Sequence, residues 1–69
     1  MKITLNHRQE ILDTPNTTLT INELLKLKKF SFTRLVVKIN GKLVKRENYD
    51  SAFFQENDNV EIIHMISGG

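Results

Sequence analysis

At 69 residues the chain has room for one domain with a modest core, and without cysteine neither a disulfide framework nor a thiolate metal site can reinforce it. Hydrophobic residues at 39% and charged residues at 26% describe an ordinary globular domain and exclude a disordered one. A net charge of +2, with its basic residues scattered, is too weak for a nucleic-acid stripe, and no apolar run is long enough to span a membrane.

Met1, Ile3 and Leu5 alternate with Lys2, Thr4 and Asn6, the period of a strand with one buried face. The pattern starts at once, with no signal-peptide layout, so the cytosol is the expected compartment. Asn6-His7 reads as a polar turn into a second strand from Gln9 to Thr14, where one of Ile11 and Leu12 faces inward. Thr14-Pro15-Asn16-Thr17 ends that strand, because proline cannot donate to a ladder.

Thr20 and Glu23 have capping-box spacing, with Leu19 and Leu24 at the staple positions around them. Ile21, Leu24 and Leu25 follow at helical spacing, Lys28 marks where the stripe leaves for solvent, and Leu27 widens it. The spacing predicts a helix from about Ile21 to Lys29, its lysines suited to the negative end of the dipole, with Phe30 and Phe32 folding back onto the core.

Arg34 to Asn40 is rich in β-formers and suits an interior strand. Asn40-Gly41 is the favoured pair for a two-residue hairpin turn, and Lys42-Leu43-Val44 returns from it. Lys45 to Asn57 reads as irregular, with Tyr49, Phe53 and Phe54 plugging the core. A turn at Glu56 to Asn59 leads into a last strand from Val60 to Ile66.

One helix laid across a mixed five-stranded sheet gives a two-layer α+β domain. With the first and last strands parallel at the sheet centre, this is the β-grasp, or ubiquitin-like, topology. Residues 1–66 form the expected single domain and 67–69 a flexible C-terminal Gly-Gly tail. In the last strand Val60, Ile62, His64 and Ile66 share one side, and Glu61, Ile63 and Met65 the other. A two-layer domain has no second layer for that other side, so Ile63 and Met65 either lie under the 45–57 segment or form an exposed apolar partner site. Gly68 and Gly69 lack a Cβ, so the terminal carboxylate is thin and unhindered, as an enzyme channel would require; simple fraying of a terminus gives the same composition.

Asn40-Gly41, Leu43-Val44, Arg46, Tyr49, Asp58, the run Val60-Glu61-Ile62-Ile63-His64 and the closing Gly68-Gly69 resemble the ThiS-type sulfur carriers of thiamin biosynthesis. The likeness is close in the C-terminal half and loose over the whole length. Thr20, Glu23, Leu24 and Leu25 fit that family's helix start. Lys45 stands where the family usually has proline and Asn57 where it usually has glycine. Both are loop positions, and asparagine tolerates a positive φ.

The resemblance implies a chain that is itself no enzyme but a protein co-substrate. An E1-like enzyme of the ThiF type adenylates Gly69 with ATP. Sulfur from a donor such as a cysteine desulfurase displaces AMP to leave a thiocarboxylate, and a thiazole synthase of the ThiG type takes the sulfur. Gly68 and Ser67 then supply clearance, the three tail residues reaching roughly 10 Å at ~3.3 Å each, and Ile63, Met65 and Ile66 dock partners. No bound cofactor, catalytic residue or metal is expected, and the free chain is expected to be a monomer. His7 and His64 form no metal motif, and Ser67 has no evident base. Three other readings share these residues: a molybdopterin-synthase-type carrier, a ubiquitin-like modifier joined to lysines through Gly69, and a β-grasp binding module with no use for the tail.

Overall fold

The computed structural model describes residues 1–30 and 34–65. Strands β1 (Lys2–Leu5) and β2 (Arg8–Ile11) form an antiparallel hairpin with Ile3 opposite Glu10. Asn6 at φ 51° and His7 at φ 69° make its turn, both in the left-handed region that these two residue types enter more readily than most. The second strand stops at Ile11, short of the predicted Thr14. Leu12 takes the inward position and Ile11 faces solvent.

A short strand β3 (Thr18–Thr20) runs into helix α1 (Ile21–Lys28). The capping box is present. The Glu23 backbone N–H donates to Thr20 Oγ1 at 3.2 Å, and the Thr20 N–H donates to Glu23 Oε1 at 2.9 Å. Leu19 and Leu24 are both buried, as a staple requires. Thr20→Ala is expected to cost about 1 kcal/mol and lower the thermal midpoint by roughly 4–8 °C. An unchanged midpoint by circular dichroism would show that the cap contributes nothing.

The helix closes with Lys29 at φ 56°, its N–H donating to the Lys26 carbonyl at 3.2 Å while the Phe30 N–H donates to that of Leu25 at 2.9 Å, a Schellman motif. Ile21, Leu24 and Leu25 carry the buried face. Leu27 is exposed, against expectation, because it lies roughly 110° round the helix from the centre of that stripe. Lys28 lies on the stripe, and its ammonium reaches Glu10 of β2 at 2.8 Å.

Strands β4 (Leu35–Ile39) and β5 (Lys42–Val44) turn through Asn40 at φ 51° and Gly41 at φ 83°, the two positive values a type I′ turn needs. A short 3-10 turn (Arg46–Asn48) precedes β6 (Phe53–Gln55) and the last strand β7 (Asn59–His64). Five strands form one mixed sheet in the order β2-β1-β7-β4-β5, with β1 parallel to β7. This is the predicted β-grasp, with α1 covering one face. Ile3, Leu5, Val37, Val60 and Ile62 of the sheet meet Ile21, Leu24 and Leu25 of the helix in one core.

β3 and β6 pair separately, with Leu19 opposite Phe54. That small sheet corrects the reading of 45–57 as wholly irregular. It also separates the adjacent aromatics: Phe54 is 1% exposed and Phe53 63%, because consecutive strand residues point to opposite faces. Tyr49 is buried as expected, and Phe30 packs against the core. Phe32 and the division between residues 66 and 67 lie outside the described residues. No described helix is long and apolar enough to cross a membrane.

Candidate functional site

The site is built on β7, the central strand. Val60 and Ile62 point into the core, so Glu61 and Ile63 point to the uncovered face by strand alternation. Cross-strand register then sets their neighbours. Val36 of β4 lies opposite Ile63, and Lys38 lies opposite both Glu61 of β7 and Leu43 of β5. Leu43 is 64% exposed, Ile63 46% and Met65 56%. The 45–57 segment therefore leaves Ile63 and Met65 open, and an apolar strip crosses β5, β4 and β7 towards the chain end. Val36 and Leu43 belong to this strip and were not among the expected site residues. Their signal lay in the Asn40-Gly41 turn, which fixes the hairpin register and puts Leu43 on the same face as Lys38.

Two contacts hold the end of β7 and the residue after it. β1 ends at Leu5, yet the Asn6 side chain continues its ladder: Nδ2 donates to the Ile62 carbonyl at 3.1 Å, and the Ile62 N–H donates to Oδ1 at 2.8 Å. The side-chain amide does the work of a strand backbone while the left-handed main chain turns away. β7 therefore outruns β1, and beyond Ile62 only β4 flanks it among the described strands. On that side the Met65 N–H donates to the Arg34 carbonyl at 2.8 Å. Ile66, Ser67, Gly68 and Gly69, the other expected site residues, lie outside the described residues.

His64 is exposed, and its ring meets Phe30 edge-on with centroids 5.5 Å apart. Among the described residues no group of three or more His, Asp or Glu side chains could hold a metal.

A groove of about 420 Å³ lies where β4 begins and β5 ends. Leu35, Val36, Leu43 and Val44 line its apolar part, and Tyr49 closes one side. Arg34, Lys45 and Arg46 complete the lining. Burial pushes the Tyr49 phenol above its ordinary value near 10, partly offset by the neighbouring Arg46 charge, so the ring is neutral at physiological pH.

Comparison with known proteins agrees with this fold. The sequence model of the ThiS family matches residues 3–69. The chain is similar to the crystal structure of the thiamine biosynthesis protein ThiS from Geobacter metallireducens, with a TM-score of 0.85, 28% identity and the whole of both chains covered. The solution NMR structure of a thiamine biosynthesis protein from Geobacter metallireducens aligns at TM-score 0.81 and 28% identity, covering all of this chain and 88% of that one. No curated protein matches. The chain belongs to the ThiS family, small sulfur-carrier proteins of thiamin biosynthesis that are not themselves enzymes.

Proposed function

We propose that the chain carries sulfur as a thiocarboxylate on Gly69 and donates it for thiazole formation. The observation that carries this reading is the apolar strip of exposed Leu43, Ile63 and Met65 with half-buried Val36 between them, on the last strand and its neighbours in a chain of this family. A terminal carboxylate with a pKa of ~3.5 is ionised at neutral pH and is a poor electrophile. An adenylating partner of the ThiF type joins it to the α-phosphate of ATP and releases pyrophosphate. A hydrosulfide ion, released from the persulfide of a donor such as a cysteine desulfurase by a thiol that is itself oxidised to a disulfide, then attacks the acyl carbon. The C–S bond forms as the C–O bond to AMP breaks, and the thiocarboxylate remains.

Ile63, Met65 and Ile66 dock the partners, a ThiG-type synthase included, while Ser67 and Gly68 let the carboxylate enter a narrow channel. The lack of cysteine fits this chemistry, since the sulfur rides on a carbonyl carbon and needs no thiol of the carrier. In this reading residues 67–69 are a flexible tail, the cell compartment is the cytosol, and the chain binds no cofactor of its own.

Intact mass spectrometry after incubation with ATP, a ThiF-type enzyme and sulfide is the direct test. The expected result is a mass gain of one sulfur-for-oxygen exchange, absent from a chain lacking Gly69. An unchanged mass, with the enzyme active on its own carrier, rejects the reading.

A further inference from the structure

We propose that the groove at the start of β4 and the end of β5 is a second docking element, which takes an apolar segment bearing carboxylates on the adenylating enzyme while that enzyme holds the tail. This rests on the carrier reading above and names the partner chemistry that reading leaves open.

Charge is the first argument. Three of the groove's lining residues, Arg34, Lys45 and Arg46, are cations, and none is a carboxylate. The ion pair found among the described residues, Lys28 with Glu10, involves β2, at the far edge of the sheet from β5. Glu47 and Asp50 follow closely in sequence, yet neither lies within ion-pair distance of a described cation. Among the described residues, then, no carboxylate pairs with the groove's cations, which stand beside an apolar floor. An acidic side chain flanked by apolar ones satisfies both.

Continuity is the second argument. Val36 and Leu43 belong both to the groove and to the exposed strip, and Arg34 holds the Met65 N–H through its carbonyl. A protein that covers the strip and grips the tail therefore passes over the groove. Exposed cations at the margin of such a contact raise the association rate and make it salt-dependent. A nucleotide fits the same groove poorly. Tyr49, its aromatic residue, is almost fully buried and offers a base no open ring face.

The test measures pyrophosphate release by the ThiF-type enzyme of the same organism as a function of carrier concentration. The KM for the wild-type chain is expected to climb as NaCl rises from about 50 to about 300 mM. Lys45→Glu with Arg46→Glu is expected to raise KM about tenfold at low salt, to hold kcat within about twofold and to flatten the salt dependence. Arg46→Lys, which keeps the charge, is expected to stay within about threefold. Both side chains are exposed, so the thermal midpoint should not move.

A wild-type KM indifferent to salt overturns the proposal without recourse to any variant. So does a double variant whose KM and salt slope match the wild type; in either case the carrier reading stands. A wild-type chain that is never adenylated removes the carrier reading and this proposal with it. Saturable amide shifts at Leu43 to Tyr49 on titrating the free chain with AMP would assign the groove to a nucleotide and overturn the protein-segment proposal.

Discussion

Ile63→Asp is expected to raise the KM of the adenylating enzyme for the chain by about thirtyfold or more while leaving the chain folded. Ile63 lies at the middle of the exposed strip, with Val36 across from it and Met65 two residues beyond. A central apolar anchor in a desolvated contact is worth about 2 kcal/mol or more, and about 1.4 kcal/mol is a factor of ten. A carboxylate there would be buried unpaired against the partner, adding a desolvation penalty to the lost contact.

The fold should tolerate the change, because the Ile63 side chain is not part of the core and strand propensity spans only about 1 kcal/mol. Ile11→Asp is the matched control. Ile11 pairs with Lys2 on the same uncovered face, but on the edge strand β2, two strands from β7. It should leave KM unchanged. Equal losses in the two variants would mean that general surface polarity, not this strip, governs recognition.

The parts of the molecule that were legible in the sequence are those whose partners lie close along the chain. Thr20 and Glu23 satisfy each other across three residues, so the capping box shows in the spelling. Asn40-Gly41 is a turn because of its own two φ values. Period two places Ile63 within the last strand, which ends at His64, one residue before Met65 and short of the predicted Ile66. The misses have a common cause in distant pairing. Thr18–Thr20 and Phe53–Gln55 are each three residues long, too short for a periodic signal, and Leu19 meets Phe54 only once the helix and the β4–β5 hairpin are in place.

The Asn6 clasp was unreadable for a different reason: a side chain stands in for a strand backbone, and no pattern of hydrophobicity records that. The basic groove needs three cations from two segments, Arg34 before β4 and Lys45-Arg46 after β5. They are eleven and twelve positions apart in sequence and come together through the hairpin that Asn40-Gly41 closes. The register was in the sequence, but the concavity it creates was not.

Phe54→Ala is expected to leave most of the chain unfolded near body temperature, whereas Phe53→Ala should shift the thermal midpoint by no more than a few degrees. Phe54 is among the largest fully buried side chains, and it ties the small β3–β6 sheet to the core that α1 covers. Truncating a buried phenylalanine costs about 3–5 kcal/mol through lost transfer energy and the cavity left behind. A domain of this size has a total of roughly 3–10 kcal/mol, at about 0.05–0.15 kcal/mol per residue, and no disulfide or cysteine-bound metal to fall back on.

Each kcal/mol moves the midpoint by roughly 4–8 °C in a domain of 60–100 residues, so a fall of at least about 12 °C is expected. Phe53 is the internal comparison, since the same truncation one residue away removes an exposed ring. Thermal unfolding of the two variants side by side decides the matter. Similar midpoints would mean that the β3–β6 pairing does not fix which ring is buried. If Phe54 alone matters, adenylation of the Phe54→Ala chain should recover on cooling in step with its folded fraction. The Ile63→Asp chain, folded at every temperature below its midpoint, should not recover.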